Sequence, residues 1–201
     1  MFALVESGSI TSYLNGNRGI TIGDNQYPAS IFTLWNESER NAIGIYTIEI
    51  DETNKKNEAW YINTDISYAF GSGKVTGSYG TATAKAHADT LYTAQDETDG
   101  LGTEGELKSR GLKYKLIQDV KLEAANELAK TDWYVVRKSE ESTAIPSAIT
   151  THRRAVRSKQ AAMETAITNA SDTPALETLY TYTEQEDGSV TRPLGELPTL
   201  E

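Results

Sequence analysis

Apolar positions follow two different rhythms along the chain. Over residues 1–95 they come in short β-prone runs, "FALVES", "SITSYL" and "GITIGD", punctuated by Gly8, Gly16, Gly19 and Gly23. Runs of this length between turn residues predict strands. In "IGIYTIEID", Ile45, Thr47 and Glu49 alternate with Tyr46, Ile48 and Ile50, the period of a half-buried strand. "YAFGSGKVTGSYG" predicts a hairpin turning on Gly71-Ser72-Gly73. Between these runs, "NESERNAIG" predicts one or two helical turns. Asn36 is its N-cap, Glu39 completes a capping box three residues later, and Gly44 stops it.

From about Glu104 the rhythm becomes helical. Leu112, Leu116, Val120, Ala124 and Leu128 recur every fourth residue, which lays one apolar stripe along a helix. A break at Thr131-Asp132 follows. A second helix runs through "IPSAITTHRRAVRSKQAAMETAITNA", with Pro146 in its first turn, where the missing N–H leaves nothing unpaired. Its apolar face comprises Ile149, Val156, Met163 and Ile167, with Ala155 and Ala166 nearby. Residues 169–174 end it, and "PALETLY" adds a short third helical piece. The two rhythms together predict an α+β chain. Its parts are a β-rich N-terminal domain over 1–95, an acidic Gly-rich linker over 96–106, a helical hairpin module over 107–170 and an extended acidic C-terminal tail over 171–201. No repeat of fixed period is visible.

Composition narrows the function classes. The 201 residues include no cysteine, which removes disulfides, thiolate catalysis and cysteine-held metals together. The formal net charge is -10, so the chain as a whole repels nucleic acid and anionic membranes. The acidic surface neither requires nor excludes a homo-oligomer. No apolar run approaches the ~20 residues of a membrane span. Glu6 interrupts what would be the apolar core of a secretory leader.

Motifs for chemistry are weak. His152 lies on the second helix beside Arg153 and Arg154, with no nucleophile elbow or Ser/His/Asp ordering, and reads as a solvent-facing helical histidine. Acidic pairs are too common in this chain to single out a glycosidase dyad. Gln95–Glu106 matches a calcium loop at Glu97, Asp99, Gly100 and Glu106, but Gln95 stands where the first carboxylate belongs. A solvated acidic turn is the plainer reading. "GSGKVTGSYG" has Val75 where a phosphate loop needs Ser or Thr, and reads as a hairpin turn. These residues predict no catalytic centre, no cofactor and no metal.

What remains is "TDWYVVRKSEESTAIP", the densest aromatic–aliphatic cluster in the chain, set between two helices. Trp133, Tyr134, Val135 and Val136 cannot all face one side of a helix. Two readings follow: an elbow with Trp133 packed between the helices, or an exposed interaction hot spot rich in Trp and Tyr. Arg153 and Arg157 lie one turn apart on the next helix. They fit internal pairing with Glu123 and Glu127, or docking to an acidic partner.

The order Thr131-Asp132-Trp133, a polar stretch, Ile145-Pro146 and then Arg153 and Arg157 resembles the C-terminal module of tailed-phage tail-assembly chaperone and tail-fibre-assembly proteins. The resemblance covers about residues 110–160. "ITIGDNQYP" leading to "LWNESERNAIGIYTIEI" also looks like modules of marine tailed-phage proteins. The resemblance implies a non-catalytic protein whose partners are phage tail or tail-fibre proteins, working in the host cytoplasm during assembly. It implies a partner-binding surface of Asp132, Trp133, Tyr134, Arg137, Pro146, Arg153 and Arg157. The long β-rich half and the acidic, Pro-containing tail exceed a minimal chaperone module. A permanent virion subunit, in the tail, baseplate or fibre attachment, is therefore the alternative, and a glycan hydrolase a distant third.

Overall fold

In the computed structural model, which describes residues 1–200, alternate side chains of strand β1 (Phe2–Glu6) feed two separate apolar clusters. The chain is α+β and divides into two units, Met1–Thr83 and Ala84–Glu201. Each is described by itself.

In the first unit, β1 pairs antiparallel with β2 (Ser9–Leu14) on one side and β5 (Ile45–Asp51) on the other. Strand β5 runs parallel to β8 (Lys74–Tyr79), which forms a hairpin with β7 (Ile66–Gly71), giving the order β2-β1-β5-β8-β7. The hairpin turns where predicted: Ser72 and Gly73 both take positive φ, 51° and 75°, as a two-residue turn matched to strand twist requires. Between β2 and β5 lie the short hairpin β3 (Ile20–Ile22) and β4 (Asn25–Tyr27), then helices α1 (Ile31–Leu34) and α2 (Glu37–Ala42). Helix α2 starts in the predicted capping box, with Asn36 and Glu39 each accepting from the other's backbone N–H. These elements place Ile31 and Phe32 against Leu4 and Ile45, covering one face of the sheet. Ala3, Val5 and Val75 fill the other face with Ile10, Tyr46, Ile48 and Phe70. The outer strands approach each other, with the Tyr13 and Tyr68 rings 5.1 Å apart, so the sheet curls, while β2 and β7 remain its two edges. The two-residue strand β6 (Tyr61–Ile62) completes the strand set of this half, and β9 (Thr83–Ala84) falls on the division between the two units.

The second unit opens with β10 (Thr90–Leu91), α3 (Ala94–Thr98) and β11 (Leu107–Ser109). Strands β10 and β11 pair antiparallel. The acidic stretch expected as a linker is thus a folded excursion between two strands, tied by Tyr92 N–H to the Glu106 carbonyl and Gly105 N–H to the Tyr92 carbonyl, both 2.9 Å. Helices α4 (Leu112–Ala129), α5 (Asp132–Glu141), α6 (Ser147–Asn169) and α7 (Thr173–Tyr180) follow, then the small hairpin β12 (Thr183–Glu184) and β13 (Val190–Thr191). Helices α4 and α6 pack together. The predicted stripes are the buried ones: Val120 and Ala124 on α4, and Ile149, Val156, Met163 and Ile167 on α6.

Two expectations are corrected here. The joint of the hairpin is not a bare elbow, because "DWYVVRKSEE" forms helix α5. The C-terminal segment is not an extended tail. Leu194 is buried, its carbonyl accepts from Lys159 Nζ at 2.8 Å, and the Leu200 N–H reaches Glu127 Oε1 at 3.3 Å. One apolar side chain on a turn closed by Gly195 N–H to the Arg192 carbonyl draws the acidic segment back onto the helices.

Candidate functional site

The surface singled out in the sequence is built where α4, α5 and α6 meet. Helix α4 ends at Ala129, and its last carbonyls need partners from outside the helix. Arg153 of α6 supplies one. Its Nη1 donates to the Leu128 carbonyl and to Thr131 Oγ1, both at 2.7 Å, and Nη2 lies 2.8 Å from the Asp132 carboxylate. Asp132 occupies the first turn of α5, where a carboxylate also meets the positive end of the helix. One guanidinium therefore joins the end of α4 to the start of α5. Arg153 is only 8% exposed, so of the expected surface residues it is withdrawn into the interior, with Asp132 as its ion-pair partner. A fork of fixed donors suits this task, which a point-charge ammonium cannot perform.

Beside it, His152 is buried too, against the expectation of a solvent-facing residue. Its Nε2 lies 3.2 Å from Glu127 Oε1, outside hydrogen-bond alignment. Both Arg153 and His152 fall in the stripe of Ile149, Val156 and Met163, where spacings of three and four put them on the buried face. Glu127 also accepts from Lys130, and that ammonium, helped by the Leu200 N–H, holds its carboxyl below the usual range. The internal pairing foreseen between the α6 arginines and Glu123 or Glu127 of α4 is not formed: Glu127 faces His152, and Arg153 turns to the end of α4 and the start of α5. The pair between α6 and the α5 end runs through Arg153.

Helix α5 presents the opposite environment. None of its residues is buried. Trp133 is 51% exposed and Val136 52%, and Val135 is exposed as well. The Trp133 and Tyr134 ring centroids are 3.8 Å apart, and the Arg137 guanidinium stands 4.6 Å from the first and 5.4 Å from the second. Arg137 is thereby held over an aromatic pair instead of a carboxylate. Ser142 closes the helix in the left-handed region, φ 58°, with its N–H on the Lys138 carbonyl at 3.1 Å. The packed-elbow reading of Trp133 is overturned: the indole projects outward.

Pro146 is exposed and sits one residue ahead of α6, capping it with φ -54° and accepting from Thr150 N–H. Arg157 is exposed and borders a shallow groove of about 580 Å³ with Gln160, Glu164 and Thr168. The geometry therefore groups Trp133, Tyr134 and Arg137 on one helix, joins Asp132 to Arg153, and leaves Arg157 on the flank of α6.

The stretch that matched a calcium loop is folded differently. Asp96 accepts from Thr93 N–H and Oγ1 and from Lys108 Nζ at 2.6 Å; these partners take its carboxyl down to about 2, the Lys108 contact contributing most. Glu97 accepts from Glu104 N–H and Asp99 from Gln95. These carboxylates cap and brace α3. Among the described residues, no group of three or more His, Asp or Glu side chains is arranged to hold a metal ion. No described helix is long and apolar enough to cross a membrane.

Sequence reasoning missed the joining role of Thr131 and the return of the C-terminal segment. Leu194, a lone Leu after Pro193 in a polar run, was the available signal for the second. No family model, no curated protein and no solved structure matches the chain.

Proposed function

We propose that this chain is a non-catalytic assembly protein of a bacteriophage tail or its fibres, acting by protein–protein contact through the outer surface of α5. The observation that carries the reading is a ten-residue helix with no buried residue that exposes Trp133, Val135 and Val136. Helices this short are marginal in water without tertiary packing, and exposed Trp with Tyr and Arg is the composition of interface hot spots. The resemblance of residues 110–160 to tail-assembly proteins supplies the identity of the partner. Asp132 and Arg153 serve the surface from beneath by anchoring α5, and Arg157 adds a cation on the neighbouring helix.

The test is capture from phage-infected cells with the tagged full chain, followed by identification of bound proteins by mass spectrometry. A tail or fibre subunit bound to the wild type and released by Trp133→Ala supports the reading. Capture of such a subunit unchanged by Trp133→Ala removes α5 as the contact. Capture of none overturns the function. Purified particles are examined in parallel: a regular copy number of this chain in the virion replaces transient assembly by a permanent structural role.

A further inference from the structure

Asn15 and Gly16 stand where β2 ends and the chain turns towards β3. Of the ten asparagines in the chain, only Asn15 is followed by glycine. The pairing matters because the backbone nitrogen of the next residue can attack an asparagine carboxamide, one source of the lability of this residue type. The attack needs a carboxamide free to rotate and a main-chain N–H that no acceptor holds. It is fastest when the following residue has no side chain to shield its nitrogen.

All three conditions meet at Asn15. It is exposed, and among the described residues its side chain makes no hydrogen bond and the Gly16 N–H has no acceptor. Gly16 is also the residue that the fold demands. Its φ is +74°, and a Cβ there would lie 3.1 Å from the Phe2 ring and 3.2 Å from Phe32, so backbone conformation and core packing both exclude a side chain. The attacking nitrogen is thereby fixed and bare, while the carboxamide swings freely. The other asparagines lack one condition or more. Asn36, Asn54, Asn57 and Asn63 spend their side chains in hydrogen bonds. Asn41, Asn126 and Asn169 lie in α2, α4 and α6, where a helical carbonyl takes the N–H that follows. Asn17 and Asn25 precede Arg18 and Gln26, whose side chains crowd the nitrogen.

We infer that Asn15 is a modification site, converting to isoaspartate without an enzyme, and that the conversion releases Gly16 from its seat on Phe2 and Phe32. The Gly16 nitrogen gives its proton to solvent base and bonds to Asn15 Cγ. The Cγ–Nδ2 bond breaks, ammonia leaves, and a five-membered succinimide remains. Water then opens the ring. Attack at the former side-chain carbonyl leaves an aspartate. Attack at the former backbone carbonyl, the commoner outcome, leaves isoaspartate, whose main chain runs through Cβ and is longer by one methylene. One water is consumed, one ammonia is released and one negative charge is gained. The extra methylene falls between Leu14, paired with Phe2 in the sheet, and Gly16, wedged against Phe2 and Phe32. A longer link between two such fixed points displaces one of them, and Gly16, outside the strand ladder, is the one that moves. The site is independent of α5 and of the assembly reading.

The test ages the purified full chain in mildly alkaline buffer, beside a synthetic peptide spanning residues 13–19, until the peptide has converted. Mass spectrometry with electron-transfer fragmentation separates isoaspartate from aspartate. Isoaspartate at position 15 is expected as the main product in the folded chain, forming faster as the pH rises, with every other asparagine at least an order of magnitude slower. Asn15→Ser should abolish it. An Asn15 still intact in the folded chain once the peptide has converted overturns the proposal, as does faster conversion at another asparagine. The structural consequence is read by hydrogen exchange on the aged chain, separated by anion exchange on its added charge, and on freshly prepared Asn15→Asp. The aged chain should exchange faster at residues 14–20 and 32, while Asn15→Asp, with the charge but not the methylene, should match the unmodified protein. Unchanged exchange in the aged chain, or equal acceleration in Asn15→Asp, overturns the release of Gly16 by the longer main chain.

Discussion

Helices α5 and α6 follow one another in the chain, yet α6 buries six residues and α5, with the denser aromatic cluster, buries none. Spacing accounts for the difference. In α6 the positions 149, 152, 153, 156, 163 and 167 return to one face every three or four residues, so a single neighbour, α4, can cover them. In α5, Trp133, Tyr134, Val135 and Val136 are consecutive, and at about 100° per residue they encircle the helix. No single neighbour can cover such a belt. Apolar density in a sequence therefore signals attraction, while apolar period signals burial, and where the two disagree the surplus stays on the surface.

The largest effects should separate the two helices directly. Met163→Ala empties a fully buried site on α6, at a cost of about 2–5 kcal/mol from lost transfer energy and the cavity left behind. Trp133→Ala removes a larger side chain but one already half in water, and should cost within about 1 kcal/mol. Urea denaturation followed by far-ultraviolet circular dichroism reads both. If Trp133→Ala shifts the midpoint as far as Met163→Ala, the indole is packed in solution and the contrast fails.

The two arginines sharpen the same contrast at a single residue type. Arg153→Ala removes the guanidinium shared by the Leu128 carbonyl, Thr131 Oγ1 and the Asp132 carboxylate; the Leu128 carbonyl keeps the Thr131 N–H and hydroxyl and Asp132 meets water, so the cost should be about 1–2 kcal/mol. Arg153→Lys should recover little, since one ammonium cannot span three acceptors. Arg157→Ala, four residues on and exposed, should stay within about 0.5 kcal/mol. Hydrogen exchange should show α5 loosening first in Arg153→Ala and unchanged in Arg157→Ala. Equal behaviour of the two variants would mean that α5 does not depend on the buried fork.

Much of this architecture was readable before any coordinates. The Asn36–Glu39 capping box, the Gly71-Ser72-Gly73 turn, the alternation in β5 and the buried stripes of α4 and α6 are local patterns with local causes, and each appears where the sequence puts it. The failures were non-local. Arg153 and Arg157 look equivalent in sequence, and only the end of α4 docking beside residue 153 makes one of them internal. His152 reads as a surface residue until Glu127 arrives from another helix. The acidic stretch at 96–106 reads as a linker because the pairing of β10 with β11 that closes it is non-local, even though Thr93 and Asp96 cap a short helix within it. The candidate surface was half legible. Its residue types announced an interface, but the exposure of Trp133 depended on "DWYVVRKSEE" becoming a helix, which its β-branched and aromatic start disfavours.

The smallest expected effect concerns α3, which like α2 and α5 is a short helix without a buried residue. Where α5 is anchored by an arginine from a distant element, α3 is anchored at its own start, by Thr93 and Asp96 accepting from each other's backbone N–H and by Lys108 on the Asp96 carboxylate. Folding lowers the Asp96 carboxyl from its ordinary 3.8 to about 2. A carboxylate with a depressed value contributes stability that is fully present above the unfolded value and lost as the pH falls through the folded one. The anchor should therefore hold above about pH 4 and fail progressively towards pH 2. Amide exchange at Thr93 and Asp96, corrected for the intrinsic dependence on pH, should accelerate across that window by a modest factor, because the group is on the surface and its ion pair is screened. Asp96→Asn keeps the shape but removes the charge, and should show the fast exchange at every pH. Lys108→Met should move the transition upward, since the Lys108 contact is the largest cause of the depressed value. A wild-type profile flat from pH 4 to pH 2 would show that α3 is ordered by its strand neighbours and not by its cap. A short exposed helix in this chain would then need an anchor from another element, as α5 does.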